Sequence, residues 1–358
     1  MSSSAVNPNA TTTATPEVKP PPVVTHVPTY ATFAARNMHA PNFAAWAPRN
    51  TRVSTKDAVL AVSWSCDGKY LASCGYERTV RVWQPDRSME VRSTTSLSGG
   101  HSSHVECITW HPTHPDLLCS ASRKDMKVAF WDVRQSKPVQ AFTLTRRPLN
   151  IQYSPKGDRI LMLDDDDRLS FISLGDASSS DGKLQWTYNE PAKPAPGTIV
   201  AMSAVWAHTG SGIFLGGTDG SIRVIEYPSL EILDKTTAHV GHCYALALDP
   251  RGKYLATGGA DSIVSLIDLE QWLPARAFSS TETTVNALSF SHDGEYLAIA
   301  GDHPYVELVA SETGQVMHRV PSLTAAQSVA WHPSKHVLAY CGEHAPDPKL
   351  GFVSLYGS

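Results

Sequence analysis

His101, Ser120 and Asp125 place a base, a hydroxyl and a carboxylate within one stretch of 25 residues. These are the residue types of nucleophilic acyl transfer. Such chemistry needs the hydroxyl held beside its base at a pocket, and spacing alone does not supply that. Trp131 follows closely. A buried imidazole, hydroxyl, carboxylate and indole N–H can instead satisfy one another in a hydrogen-bond chain. The set recurs in reduced form as His239, Thr257 and Asp261, with Ile267 at the tryptophan position, and as Ser73, Glu77 and Trp83 without a histidine. Recurrence favours a structural network over a catalytic triad. In the first set an extra residue in Arg123-Lys124 precedes Asp125, which puts the geometry of that turn in question.

Other candidate chemistry fails on pattern. Asp164–Asp167 falls at an expected turn, where four like charges repel and stay solvated. The alternating ligands, glycine and distal glutamate of a calcium loop are absent, which leaves an acidic contact for a basic partner as the functional alternative. His111, His208, His292 and His332 lie in separate turns and are expected to be held too far apart to converge on one tetrahedral ion. Cys66, Cys74, Cys107, Cys119, Cys243 and Cys341 form no C-x-x-C pair and read as small apolar side chains in a reducing compartment. There is no phosphate-cradling Gly-Lys loop and no nucleophile elbow. The expectation is a non-enzyme with no catalytic residue, no metal, no cofactor and no small-molecule substrate.

The elements that carry these residues repeat. Trp64, Trp110, Tyr153, Trp206, Leu248, Phe290 and Trp331 follow one another at intervals of 46, 43, 53, 42, 42 and 41 residues. Most are followed by a turn such as Cys66-Asp67-Gly68 or His111-Pro112, then by an apolar run such as Tyr70-Leu71-Ala72. A period of ~40–45 residues with four strand signals per unit marks a WD40 blade. The fold class is therefore all-β, a seven-bladed WD40 β-propeller over 41–358. The last repeat runs out of sequence after its third strand at Gly351–Leu355. An open edge would expose unpaired backbone groups, so a strand at Asn42–Ala47 is expected to close the ring from the N-terminal side. Residues 1–40 form an expected disordered tail, low in complexity and with Pro20-Pro21-Pro22 in its first 28 positions. Asp176–Thr198 is an expected loop insertion between the third and fourth blades.

The formal charge is −4 with 42% hydrophobic and 18% charged residues, which gives no global excess of positive charge for autonomous nucleic-acid binding and leaves a local basic patch open. No apolar run reaches the ~18 residues of a membrane helix, and the N-terminus has no signal-peptide pattern. A soluble intracellular protein without membrane contact is expected. Function is then sought on the rim. Counting four and six residues back from each anchor gives candidate partner-binding positions that include His104, Glu106, Arg147, Leu149, Met202, His242, Tyr244, Asn286 and Gln327. Tyr244 and Arg147 lead by residue type, because aromatic and arginine side chains dominate interface energetics.

The stretches Val62–Ser73, Trp110–Leu117, Trp131–Arg134, Asp249–Gly258, Ser289–Gly294 and Ala330–Pro333, in that order and with Glu226-Tyr227-Pro228-Ser229-Leu230 between them, carry a family likeness. The chain resembles the WD40 subunit of the THO transcription–export complex over roughly Val59 to Tyr356. The tail, Asp176–Thr198 and the aspartate run do not share in it. The resemblance implies a nuclear, non-enzymatic scaffold in mRNA assembly and export. Its partners would be other THO subunits, above all the large helical scaffold subunit. A DEAD-box RNA helicase and RNA would be reached through the complex. The alternative is a WD40 platform of another pathway, such as a substrate receptor or a chromatin reader.

Overall fold

The computed structural model describes residues 39–53, 58–165, 168–175, 185–188, 200–278, 282–344 and 350–357. Most of the expected tail and most of the 176–198 loop lie outside the described residues. The described chain forms seven antiparallel sheets of four strands, the blades of one β-propeller. Each blade runs outward through strands a to d. The a strands are Val59–Trp64, Cys107–Trp110, Pro148–Tyr153, Ala201–Trp206, Cys243–Leu248, Val285–Phe290 and Ala326–Trp331, so every anchor is the last residue of its a strand. The anchors are buried apart from Leu248, which is partly covered.

Burial explains the alternation within blades. In the first blade Leu71–Gly75 is covered on both faces, whereas in Val80–Trp83 Arg81 alone is partly exposed. Outer d strands such as Ile232–Thr237 are almost wholly exposed. Apolar side chains of neighbouring blades share clusters. Trp64 packs with Val337, Ala339 and Val353 of the last blade, and Trp110 packs with Val82 and Leu97 of the first. Each fully buried side chain of this size contributes about 1.5–3 kcal/mol.

The ring closes from the N-terminal side, but through a different segment than expected. Asn42–Ala47 is not a strand: Phe43–Ala45 is a 3₁₀ turn. The closing strand is Arg49–Arg52, antiparallel to Leu350–Gly357, with Arg49 opposite Leu355 and Arg52 opposite Phe352. The reason is position. The outermost strand of a blade faces water, so polar Arg-Asn-Thr-Arg suits it. The apolar Phe43 is instead drawn inward, 3% exposed, with its ring edge-on to Tyr296 at 5.0 Å and its carbonyl accepting from the Tyr356 hydroxyl.

Two further expectations are corrected. Trp186–Tyr188, inside the segment expected as loop, is the d strand of the third blade. Trp186 is fixed by stacking on Phe130 of the preceding blade at 4.7 Å. Asp164 is not solvated but fully buried at the end of its b strand. Its Oδ1 accepts the Arg168 N–H at 2.9 Å across the b–c turn, and burial pushes its carboxyl upward from the ordinary range.

Candidate interaction surfaces

The rim positions share a backbone cause. In six blades the a strand slips register one residue after its start: between Val59 and Ala61, Pro148 and Asn150, Ala201 and Ser203, Cys243 and Ala245, Val285 and Ala287, and Ala326 and Ser328. A bulge sets two residues against one and re-aims the extra side chain. The extra residues are Leu60, Leu149, Met202, Tyr244, Asn286 and Gln327. All six stand four residues before an anchor, and five of them are among the candidates named from the sequence. Leu60 belongs to the same ring and is found by the same count.

The entrance residues fall into separate groups. His242 is exposed and its ring stacks on Tyr244 at 5.7 Å. The Asn286 amide donates to Asp302 at 2.8 Å. Arg147 and Tyr244 belong to blades three and five and form no joint site. The structure gathers His104, Glu106 and Arg147 around one groove of about 310 Å3, completed by Arg123 and Lys124. His104 Nε2 lies 2.9 Å from Glu106, whose other oxygen accepts the Arg123 backbone N–H at 3.0 Å. Tyr76, 45% exposed, stacks on His104 at 4.9 Å. Arg123, Lys124 and Tyr76 come from b–c turns and lie outside the anchor count.

Beneath the rim, Ser120 Oγ, fully buried, accepts Trp131 Nε1–H at 2.8 Å and meets His101 Nε2 at 2.8 Å. Asp125 lies 3.5 Å from His101 Nδ1 and accepts the Ser102 N–H at 2.7 Å. Blade five has a tighter version: His239 Nε2 to Thr257 at 2.8 Å and His239 Nδ1 to Asp261 at 3.0 Å. The longer contact in blade two accompanies its extra turn residue, while the left-handed residue after the carboxylate is shared by blades one, two and five: Arg78 at φ 64°, Met126 at 52° and Ser262 at 64°. Burial lowers both histidines from the ordinary value, against the opposing pull of Asp125 and Asp261. In blade one Trp83 Nε1 donates to Ser73 at 2.8 Å, while Glu77 turns aside to Arg81 at 2.7 Å.

The a–b turns surround the other mouth of the ring. There a cavity of about 600 Å3 is lined by Trp110, Tyr153, Trp206, Leu248, Phe290 and Trp331 among others. The turn histidines act between blades. His332 Nδ1 accepts the N–H groups of Ser334 and Lys335, both at 3.1 Å, and its Nε2 donates to Gly68 O of the first blade at 3.1 Å. His208 Nε2 reaches Asp249 O of the next blade at 2.7 Å. His292 approaches a histidine outside the set of four named from the sequence, and among the described residues those four do not gather as one ligand set. Its ring is 4.7 Å from that of His336 in the last blade, and His336 Nε2 donates to Asp293 at 2.9 Å. The potential ligand atoms of His292, Asp293 and His336 lie within 4.8 Å of one another, and holding an ion would require giving up the His336–Asp293 bond. Burial opposes the Asp293 charge, but His336, Ser291 and the Glu295 N–H together hold its carboxyl far below the usual range.

The WD domain, G-beta repeat family matches residues 47–84, 92–132 and 231–268, and the anaphase-promoting complex subunit 4 WD40 domain matches 272–334. THO complex subunit 3 of Arabidopsis thaliana is 34% identical over 289 residues, covering 80% of this chain and 87% of the relative. WD repeat-containing protein AAC3 of Dictyostelium discoideum is 27% identical, covering 92% of this chain and 71% of its own length. Among solved structures, the Cps50 (Swd1) β-propeller domain of Myceliophteria thermophila superposes with a TM-score of 0.70 at 18% identity, over 87% of this chain and 100% of that domain, a likeness of fold. The repeats, the seven closed blades and the extent of the first of these likenesses place the chain in the THO complex subunit 3 family of WD40 β-propellers.

Proposed function

We propose that this chain is a non-enzymatic scaffold subunit of the THO complex, acting in the nucleus in co-transcriptional mRNP assembly and mRNA export by docking other THO subunits. The observation that carries the reading is the 34% identity to a THO complex subunit 3 along most of both chains. The propeller supports it physically. Its entrance ring is built on backbone bulges, so little ordering entropy opposes association. The rim positions His104, Glu106, Arg147, Leu149, Met202, His242, Tyr244, Asn286 and Gln327 are the proposed partner contacts, with the large helical subunit foremost and a DEAD-box helicase reached through the assembly.

The His101–Ser120–Asp125 set is assigned a structural role. Ser120 Oγ is shielded from solvent and shared between His101 and Trp131, so a substrate carbonyl has no route to it. The test is a tagged pull-down from nuclease-treated nuclear extract, read by mass spectrometry. THO subunits recovered in near-equal amounts support the reading. Their absence beside a ligase or chromatin complex replaces it with a platform of another pathway.

A further inference from the structure

The chain is acidic overall, at −4, and several of its arginines and lysines are neutralised by carboxylates. Arg81 pairs with Glu77, Arg134 with Asp132, Lys235 with Asp219, Lys253 with Glu312, and Arg319 with Glu307. Among the described residues, Arg123, Lys124 and Arg147 take part in no ion pair, although all three border one groove and all three are exposed. The one carboxylate in that groove, Glu106, is already engaged by His104 and by the Arg123 N–H. Three like charges converging on one concavity repel one another, and a bound anion relieves that repulsion.

We infer that the groove between the entrance ends of blades two and three binds single-stranded nucleic acid, with Arg123, Lys124 and Arg147 on successive phosphates and a base on Tyr76. Tyr76 separates this ligand from an acidic peptide. Its ring stacks at 4.9 Å on His104, which lines the groove, and remains 45% exposed. A cationic track beside an exposed aromatic platform is the arrangement that holds an unpaired strand, because every base has a stacking face. The site goes beyond the scaffold reading, in which RNA is reached only through the complex, and it does not depend on that reading.

The purified full-length chain is titrated into a labelled ten-nucleotide oligouridine RNA, followed by anisotropy at salt concentrations from about 50 to 200 mM. Saturable binding is expected, with a log–log salt slope near −2 for about three neutralised phosphates. The triple variant R123Q/K124Q/R147Q should weaken binding at least about tenfold and flatten the slope toward zero. Y76A should weaken it about tenfold and leave the slope unchanged. K156Q, on an a–b turn at the opposite mouth, should do neither. Each variant must first show the parental melting curve, and the exposure of all these side chains makes that the expected outcome. Matched oligothymidine DNA separates the sources: equal binding identifies a reader of backbone and base faces, and tighter RNA binding adds a contact to the 2′-hydroxyl. No binding at the lowest salt overturns the inference, as does parental affinity in the triple variant. So does competition by polyglutamate as effective as by RNA, with Y76A neutral.

Discussion

His332 Nε2 donates to the carbonyl oxygen of Gly68 at 3.1 Å, joining residues 264 positions apart. The bond crosses from the last blade to the first at the a–b mouth. It is a second closure of the ring, inside the one made by Arg49–Arg52 at the outer edge. The geometry requires His332 Nδ1 to be an acceptor and Nε2 a donor, because Nδ1 takes two backbone N–H groups of its own turn.

Gly68 makes this approach possible. A Cβ there would lie 2.1 Å from His332 Nε2, and its φ is +73°. Gly252 has the same φ in the fifth blade, but its nearest neighbour, His208 Cδ2, is 3.4 Å from a Cβ. Gly252→Ala should therefore cost the backbone strain alone, about 1–2 kcal/mol. Gly68→Ala should add a clash and lose about 3 kcal/mol or more. Urea unfolding midpoints of the two variants measure the difference.

The turn histidines make stability depend on pH. Burial, helped by the charge of His114 and opposed by Gly157, lowers His111 to about 4. Burial likewise lowers His332, against the pull of the Gly68 carbonyl. The neutral form is favoured in the folded state, so the unfolded chain binds more protons between about 4 and 6.5 and stability falls with pH across that window. Protonation would also remove the acceptor at Nδ1. The urea midpoint should be flat above about pH 7 and decline from there to pH 4.5, less steeply in His111→Asn.

Ser120 joins two buried groups. Ser120→Ala strands the Trp131 indole N–H and His101 Nε2, and should cost about 2–4 kcal/mol. Ser120→Thr should cost much less, because Thr257 occupies the matching place in blade five with the same 2.8 Å contact to its histidine. Thermal melts of both variants decide it.

Phe43 plugs the closing blade. Phe43→Ala should lose about 3–5 kcal/mol through its buried ring. Truncation of residues 1–28 should change the midpoint by under about 1 kcal/mol, as their composition implies. Equal loss in both would place the closure elsewhere.

The anchors were readable because each ends an innermost strand, where burial leaves little choice of residue. The rim was readable by counting because the bulge recurs at a fixed distance before the anchor, at Leu149 as at Asn286. What could not be read came from contacts remote in sequence. The Asn42–Ala47 segment resembles a strand by its apolar content, yet Phe43 answers to Tyr296 and Tyr356 rather than to a ladder. Trp186 sits in a polar stretch without alternation and is held by Phe130, a residue of another blade. Asp164 is buried by the end of its strand, which no run of aspartates announces. Arg123 and Lys124 were visible only as an extra turn residue. Their shared groove with Arg147 depends on how two blades meet.

Docking of this propeller into THO is the proposed role that most needs measurement. The most direct measurement is size-exclusion chromatography of the purified chain mixed with THO assembled without its WD40 subunit. The folded chain should co-elute with the assembly and saturate with added chain, and charge changes at Met202 and Tyr244 should abolish co-elution. A folded chain that elutes alone at concentrations well above those in the nucleus would contradict it.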